Sequence, residues 1–354
     1  MRILGVDLGQ SKSAWAELDS QTGKRAQGWV AMDDESLLRL LERRRPEQLV
    51  IESGPLAGRV HDLAAARGIR VLVADTTAEA WRWKNVKRKT DRDDACKLVR
   101  LAALDQINPV HMPAPAVRQL RALLEYRRAL VSETTRSKNR IRATLQTVGR
   151  RLAPGKSAWT AKAIAGWGTE LRPLAECSPE ELWRGLAHTE LQHLADVQAR
   201  LAEVDDKLRA LARAYPGVAR LSSLPGVGRL TALVIIATLD QPQRFKTRRQ
   251  VAAYGGLVPR RFQSGQMDRS GRISKRGSPL LRWALNQASW AAIRCSPELR
   301  AFYLHVGGAS KKRRKQAIVA VMRKLLVIAW ALLRDGTRYQ AQRLRGRSQA
   351  VQAA

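Results

Sequence analysis

The chain predicts an α/β domain with a mixed sheet at its N-terminus, followed by a mostly helical remainder. Three observations carry this. Short apolar runs alternate with amphipathic helical patterns through residue 105, two long helical periodicities follow, and the charge divides at the same place. The 354 residues carry a net charge of +33, but residues 1–105 hold 19 Lys+Arg against 16 Asp+Glu, while the remainder holds 45 against 15. A uniformly basic surface reads as solubility alone. This asymmetry instead assigns polyanion binding to the last two-thirds and leaves a nearly neutral module at the front.

Within that module Arg2–Asp7, Ala14–Leu18 and Ala26–Met32 read as strands whose short gaps favour hairpins, hence an antiparallel trio. Asp33–Arg45 reads as a helix, Gln48–Glu52 as a buried strand, Leu56–Arg67 as a helix and Arg70–Ala74 as another strand. A meander followed by βαβ units is the ribonuclease H-like plan, in which the first and fourth strands are neighbours. The Pro-containing stretch Asn108–Pro115 reads as a boundary. Beyond it, Ala116–Leu152 and Pro179–Tyr215 are long helical patterns around an irregular insert, which predicts an antiparallel coiled-coil arm suited to dimerisation. Residues 1–107, 108–215 and 216–340 are therefore expected as separate regions, with 341–354 a disordered basic tail bearing Arg343, Arg345 and Arg347.

Four carboxylates stand out in the first region. Asp7 ends the run RILGVD, Glu52 ends QLVIE, and Asp91 and Asp94 lie three apart where a helical pattern begins, so both project from one face. Placing Asp7 beside Glu52, with the other pair closing from a later helix, gathers charges that repel unless cations join them. Mg²⁺ is the hard cation that carboxylates and phosphate oxygens share. The ordinary structural alternative is a strand-end turn for Asp7 and a capped helix start for Asp91 and Asp94, the class to which Asp93 belongs. Burial of acids beside Leu, Val and Ile argues against that alternative.

The basic region carries two further signals. In LSSLPGVGRLTALVIIATLD, Gly226 and Gly228 precede an apolar helix, as in a helix-hairpin-helix whose backbone N–H groups face a phosphate. An ordinary glycine-containing connection is the alternative. In RFQSGQMDRSGRISKRG, Ser264 lies between Arg260/Arg261 and Arg269/Arg272, with Lys275 and Arg276 beyond. A serine among guanidinium groups suits attack on a phosphodiester; a phosphate-binding or turn serine is the commoner use. Residue chemistry alone does not separate Ser264 from Ser270 and Ser274. Basic residues along Arg118–Arg142 and at Lys311, Lys312 and Lys315 are expected to meet nucleic-acid backbone. Trp81, Trp83, Trp159 and Trp167 are candidates for base stacking, with core packing favoured for most.

Other classes recede. Cys96, Cys177 and Cys295 lie far apart, which excludes a zinc knuckle and predicts a reducing, cytoplasmic setting. The five histidines form no ligand pattern. No lipidation signal or long uninterrupted apolar span suggests a membrane, the longest stretch being Leu325–Leu333.

GVDLGQSKS, VIESGP and KTDRDDA resemble the RuvC-like half of IS110/IS1111-family transposases. LPGVGRLTA, RFKTRRQVAAYGGLVPR, QSGQ and GRISKRGSPLLR resemble the transposase half of the same family. The resemblance implies that Asp7, Glu52, Asp91 and Asp94 are metal ligands binding Mg²⁺, and that Ser264, in the Ser-Gly step, is the nucleophile. It implies double-stranded DNA at the element junction and target, a structured guide RNA, a homodimer or tetramer that completes each active site between protomers, and a bacterial, nucleoid-associated location. Phe262 and Gln263 depart from the more polar residues of relatives. The rival functions are a RuvC-like endonuclease using water, and a catalytically dead scaffold.

Overall fold

The computed structural model describes residues 1–76, 90–265, 267–308, 310 and 313–341. Trp81, Trp83, Lys311, Lys312, Arg343, Arg345 and Arg347 lie outside the described residues. The chain divides into two compact units, Met1–Pro115 and Ala116–Ala354.

The first unit is built on a five-stranded sheet: β1 (Arg2–Asp7), β2 (Lys12–Asp19), β3 (Arg25–Ala31), β4 (Gln48–Glu52) and β5 (Arg70–Ala74), in the order β3-β2-β1-β4-β5. The first three strands are antiparallel, and β4 and β5 run parallel to β1. That mixed order is the ribonuclease H-like arrangement expected from the sequence. Alternation divides each strand between two cores. Leu4, Val6, Trp15, Leu49, Ile51 and Val73 face one side, covered by α1 (Asp34–Arg44) and α2 (Ala57–Ala65). Ile3, Ala14, Ala16, Val50 and Ala74 face the other, where α3 (Asp91–Ala103) lays Ala95, Leu98, Val99 and Ala102 on the sheet. After α3 the chain returns along β5, where the Val110 N–H donates to the Val73 carbonyl (2.7 Å) and Ala74 bridges Pro109.

The contact between α3 and β1 has almost no spare room. A Cβ at Gly5 would stand 2.7 Å from Val99 Cγ2, 2.8 Å from the Ala95 carbonyl oxygen and 3.1 Å from Leu98 Cβ. Only glycine lets the helix backbone descend so close to the centre of the sheet.

The second unit opens with two 33-residue helices, α4 (Pro115–Thr147) and α6 (Leu182–Ala214), separated by a short α5 (Ala161–Gly168) and 3₁₀ turns. Arg127 pairs with Asp205 (2.5 Å), Glu133 with His193 (3.1 Å) and Arg140 with Glu190 (2.7 Å), so the two helices run antiparallel side by side. Trp159 and Trp167 pack edge to face, 5.9 Å apart, and together with Trp183 they flank Ile141, Leu145 and Leu194. Both serve as core residues at the far end of the helix pair.

Six arginines of the basic face expected along α4 bond to the protein's own carboxylates and carbonyls, while Arg128, Arg136 and Arg140 stay exposed. Arg121 donates to the Ala237 and Thr238 carbonyls, and Arg128 reaches Glu125. Arg136 and Arg140 share Glu133, whose carboxyl they hold, with His193, down at about 2. Arg142 donates to the Ala153 and Gly155 carbonyls. Charged side chains at three- and four-residue spacing along facing helices answer one another before they answer a ligand.

The rest of the unit wraps a helical core: α7 (Pro216–Leu221), α8 (Arg229–Leu239), α9 (Arg248–Tyr254), α10 (Pro279–Cys295), α11 (Pro297–Gly307) and α12 (Arg314–Asp335). By length and composition alone α12 could cross a membrane. Its Val321, Leu325, Leu326 and Ala329 are instead wholly buried in the protein's own core, shared with Leu233, Ile235, Leu281 and Leu285. That core also takes in Leu124 of α4 and Leu208 of α6, so the long helices and the C-terminal helices belong to one body. One element had no strand signal in the sequence: β6 (Pro259–Ser264) and β7 (Met267–Ile273) form an antiparallel hairpin.

Gly5→Ala tests the close approach of α3. It is expected to lower stability by roughly 1–3 kcal/mol through overpacking, read by urea denaturation. Adding Val99→Ala should recover only part of the loss, because the Ala95 carbonyl still obstructs the new methyl.

Candidate functional site

Asp7 and Glu52 meet because of strand register. Val6 pairs with Ile51 in the parallel β1–β4 ladder, so the next residues stand side by side where both strands end. Residues 3, 5 and 7 of β1 and 50 and 52 of β4 share the face that α3 covers. Helical spacing completes the group. Asp91 and Asp94 lie one turn before Ala95 and Leu98, on the edge of α3 that meets the sheet. Asp94 is only 7% exposed, an unusual position for an acid.

The helix start is fixed separately. The Thr90 hydroxyl accepts from the Asp93 N–H (3.3 Å), while the Asp93 carboxylate accepts from the Thr90 N–H (3.0 Å), a reciprocal capping box. Asp93 is thus the structural acid of the DRDD string, leaving Asp91 and Asp94 to face the sheet.

Electrostatics records the convergence. Burial, then the charges of Glu52, Asp94 and Asp91 in turn, and a hydrogen bond with Glu52, push the Asp7 carboxyl up from 3.8 to about 7. Asp7 therefore feels all three of the other acids. Among the described residues, no three His, Cys, Asp or Glu side chains stand in a ligating arrangement, so the cluster is not a closed coordination shell. Its donor set nonetheless suits a hard divalent cation: carboxylate oxygens only, with neither imidazole nor thiolate among them.

Ser264 ends β6 at the tip of the hairpin. Gly265, at φ +55°, begins the turn, and Ser264 pairs with Met267 across it. Cross-strand pairing puts Phe262 opposite Arg269, so Phe262, Ser264, Met267 and Arg269 share one face. Phe262 and Met267 are 55% and 56% exposed. Arg261 lies on the other face, where its guanidinium is held bidentately by Asp268 (2.9 and 2.5 Å). Arg260, Arg272, Lys275 and Arg276 are exposed around the hairpin and its base.

The other two serines differ from Ser264. The Ser274 Oγ is buried without a hydrogen-bond partner, and its N–H donates to the Val258 carbonyl (2.8 Å) where the hairpin joins the helices. Ser270 stands opposite Arg261 in register. The hairpin itself eluded sequence reading because β6 is exposed along its whole length, leaving no apolar alternation to detect.

Gly226 has a different use from the one its motif suggests. At φ +78° it turns the chain from α7 toward α8, and a Cβ there would stand 2.3 Å from the Ala288 carbonyl oxygen and 2.5 Å from the Ala292 nitrogen of α10. It lets the turn pack on α10. Gly228, the exposed N-cap of α8, has open space around it and is the glycine of the pair that a phosphate can approach.

Residues 4–149 match a family model described as Transposase, that of the IS110-type DEDD enzymes, and residues 218–304 match one described as Transposase IS116/IS110/IS902 family. The chain is 30% identical to a putative transposase of Sinorhizobium fredii, y4rJ, over 94% of this chain and 92% of that one. It is 29% identical to the transposase for insertion sequence element IS1111A of Coxiella burnetii, over 69% of this chain and 66% of that protein. It is also 27% identical to the pilin gene-inverting protein of Moraxella bovis, over 71% and 67%. The two family matches fall on the acid-bearing sheet and on the hairpin-bearing helical unit in that order. Together with a relative aligned over nearly the whole length, they place the chain in the IS110 family of insertion-sequence transposases.

Proposed function

We propose that this transposase cuts and rejoins DNA through a covalent phosphoserine on Ser264, with Asp7, Glu52, Asp91 and Asp94 holding Mg²⁺ at the scissile phosphate. The observation that carries this reading is the convergence of Glu52, Asp94 and Asp91 on Asp7, whose carboxyl their charges push up to about 7 together with burial. A bound divalent ion supplies positive charge to the phosphate oxygens. The chain's own residues do the rest. Ser264 Oγ forms a bond to phosphorus and gives up its proton; the bond from phosphorus to a sugar oxygen breaks, and that oxygen leaves as a hydroxyl. An incoming DNA hydroxyl later reverses the exchange and frees Ser264, so the number of phosphoester bonds is conserved without a nucleotide cofactor. Arg269, on the face of Ser264, is placed to donate to the phosphate, whereas Arg261 organises the hairpin through Asp268.

Around this centre, Arg260, Arg272, Lys275, Arg276 and the N–H groups at Gly228 are assigned to phosphate contacts that position the DNA without reading it. Double-stranded DNA at the element junction and target is the substrate. A structured element-encoded RNA that supplies sequence choice, and a dimer or tetramer in which the acid-bearing unit of one protomer serves the serine of another, follow from the family resemblance. The likeness to a gene-inverting protein supports recombination over simple hydrolysis.

Incubating the protein with Mg²⁺, the element transcript and junction DNA, then separating products on denaturing gels, tests the serine. The expected result is a protein–DNA adduct in the wild type that Ser264→Ala lowers by about 10³-fold or more. Cutting without an adduct in either protein would assign the reaction to water and leave Ser264 a binding residue. Retained cutting in Asp7→Asn would remove the acids from the reaction.

The raised Asp7 pKa gives a second test in metal-free buffer. Between 3.8 and about 7 the folded protein holds a proton on Asp7 that the unfolded chain has lost. The stability from this group is therefore fully present below 3.8 and lost as pH rises through 7. Asp7→Asn should stabilise the metal-free protein near pH 8 by roughly 1 kcal/mol, less than the full shift implies because the group is half-exposed and screened. Below about pH 3.8 the two proteins should melt alike, and the difference should open as pH rises toward 7. Millimolar Mg²⁺ should raise the wild-type Tm near pH 8 and leave that of the variant nearly unchanged.

A further inference from the structure

The acids lie in a row that runs on across the sheet. Asp7 pairs with Ala14 on β2, and Ala14 pairs with Trp29 on β3, so Glu52, Asp7, Ala14 and Trp29 stand in line on the face that α3 covers. With strands about 4.8 Å apart, Trp29 begins roughly 10 Å from Asp7. Trp15 on the neighbouring strand faces the opposite core and is 6% exposed, whereas Trp29, on the edge strand, is 42% exposed. Two cations flank its indole. Lys12 Nζ lies 4.8 Å from the ring centroid, and the Arg92 guanidinium, next to Asp91 in sequence, lies 5.7 Å away.

Farther along β3, toward Arg25, a groove of about 1200 Å³ lies between β3 and α3. Its charged lining residues are Arg25, Lys97 and Arg100 with Glu17 and Asp93. An exposed aromatic ring with two cations close to it, on the sheet face that carries the acids, is the combination that holds a nucleic-acid strand: cations on the backbone and a π-face under a base. The otherwise near-neutral first unit places these cations beside its own acids.

We infer that Trp29, flanked by Lys12 and Arg92, is a stacking platform for a base of the DNA strand whose phosphate lies at the acids. This rests on the proposed role of those acids. A separation of roughly 10 Å corresponds to about two or three nucleotides at a rise of about 3.4 Å, or fewer where the strand is drawn out. Trp29 fixes the register of the strand, and Lys12 and Arg92 neutralise the phosphates on either side of the stacked base. It is a positioning residue, since it touches substrate away from the reacting atoms.

The test uses full-length protein, Ca²⁺ in place of Mg²⁺, and element-junction DNA carrying 5-iododeoxyuridine at successive positions around the cleaved phosphate. Irradiation should cross-link Trp29 to a base within about three nucleotides of that phosphate, as located by mass spectrometry. Trp29→Leu, which keeps apolar bulk but has no ring, should weaken binding by about tenfold at high salt, where phosphate contacts are screened. With Mg²⁺ it should raise KM more than it lowers kcat, and Trp29→Phe should restore most of the loss. Unchanged binding in Trp29→Leu, or cross-links that map only to other residues, would overturn the inference. So would a loss of Tm in Trp29→Leu with DNA affinity intact, which would make Trp29 a cation–π clasp between β2 and α3. Asp7→Asn separates the two readings: it should abolish cutting and keep the Trp29 cross-link. If Asp7→Asn still cuts, the role of the acids fails whatever Trp29 does.

Discussion

Everything in the first unit depends on how closely α3 lies on β1. Gly5 removes the one side chain that would hold the helix off, and Val99, Ala95 and Leu98 occupy its place. A helix seated there has no choice about where its first turn falls. Its periodicity carries Asp91 and Asp94 to the end of the sheet, where strand register has set Asp7 beside Glu52. The repulsion among the four acids is sustained because burial of Leu98, Val99 and Ala102 against Ile3, Ala14 and Val50 works on the same rigid contact. Apolar packing thus offsets the electrostatic cost of bringing the acids together.

The second unit solves a different problem. Ser264 has no core around it; the hairpin that carries it is exposed along β6, and the chain begins to turn at Gly265. What rigidity it has comes from the Arg261–Asp268 pair and from the join at Ser274 and Lys275, whose N–H groups bond back to Val258 and Gly256. A side chain on such a ribbon projects away from the helical core. The acids, by contrast, sit where two strands and a helix converge and cannot move independently. Under the proposed function, this division suits a reaction in which one partner is a fixed electrostatic centre and the other must enter and leave.

How far the sequence disclosed this varies with the physics behind each feature. Strand order, the Asp7–Glu52 juxtaposition and the structural role of Asp93 were legible, because buried parallel strands and capping boxes write strong local patterns. The hairpin at 259–273 was not: with no apolar alternation, its pairing depends on a glycine turn and cross-strand contacts. Gly226 was legible as a turn but not as a packing position, since its constraint comes from α10, more than sixty residues away. The resemblance, and not residue chemistry, singled out Ser264. Burial of the Ser274 Oγ is a reason that only coordinates supply.

Charge is the feature for which counting misleads most. The excess of cations after residue 105 suggested that the α4 arginines meet nucleic acid, yet six of those highlighted there bond to the protein's own carboxylates and carbonyls. Arg121, Arg127 and Arg140 tie α4 to other helices, while Arg128 and Arg136 pair within α4 itself. Conversely the first unit, nearly neutral in sum, places Lys12 and Arg92 against an exposed indole beside its acids. A cation is available to a phosphate only where no neighbouring acid or helix end has claimed it. Net charge therefore sets long-range attraction for a polyanion, while local pairing decides which cations face outward.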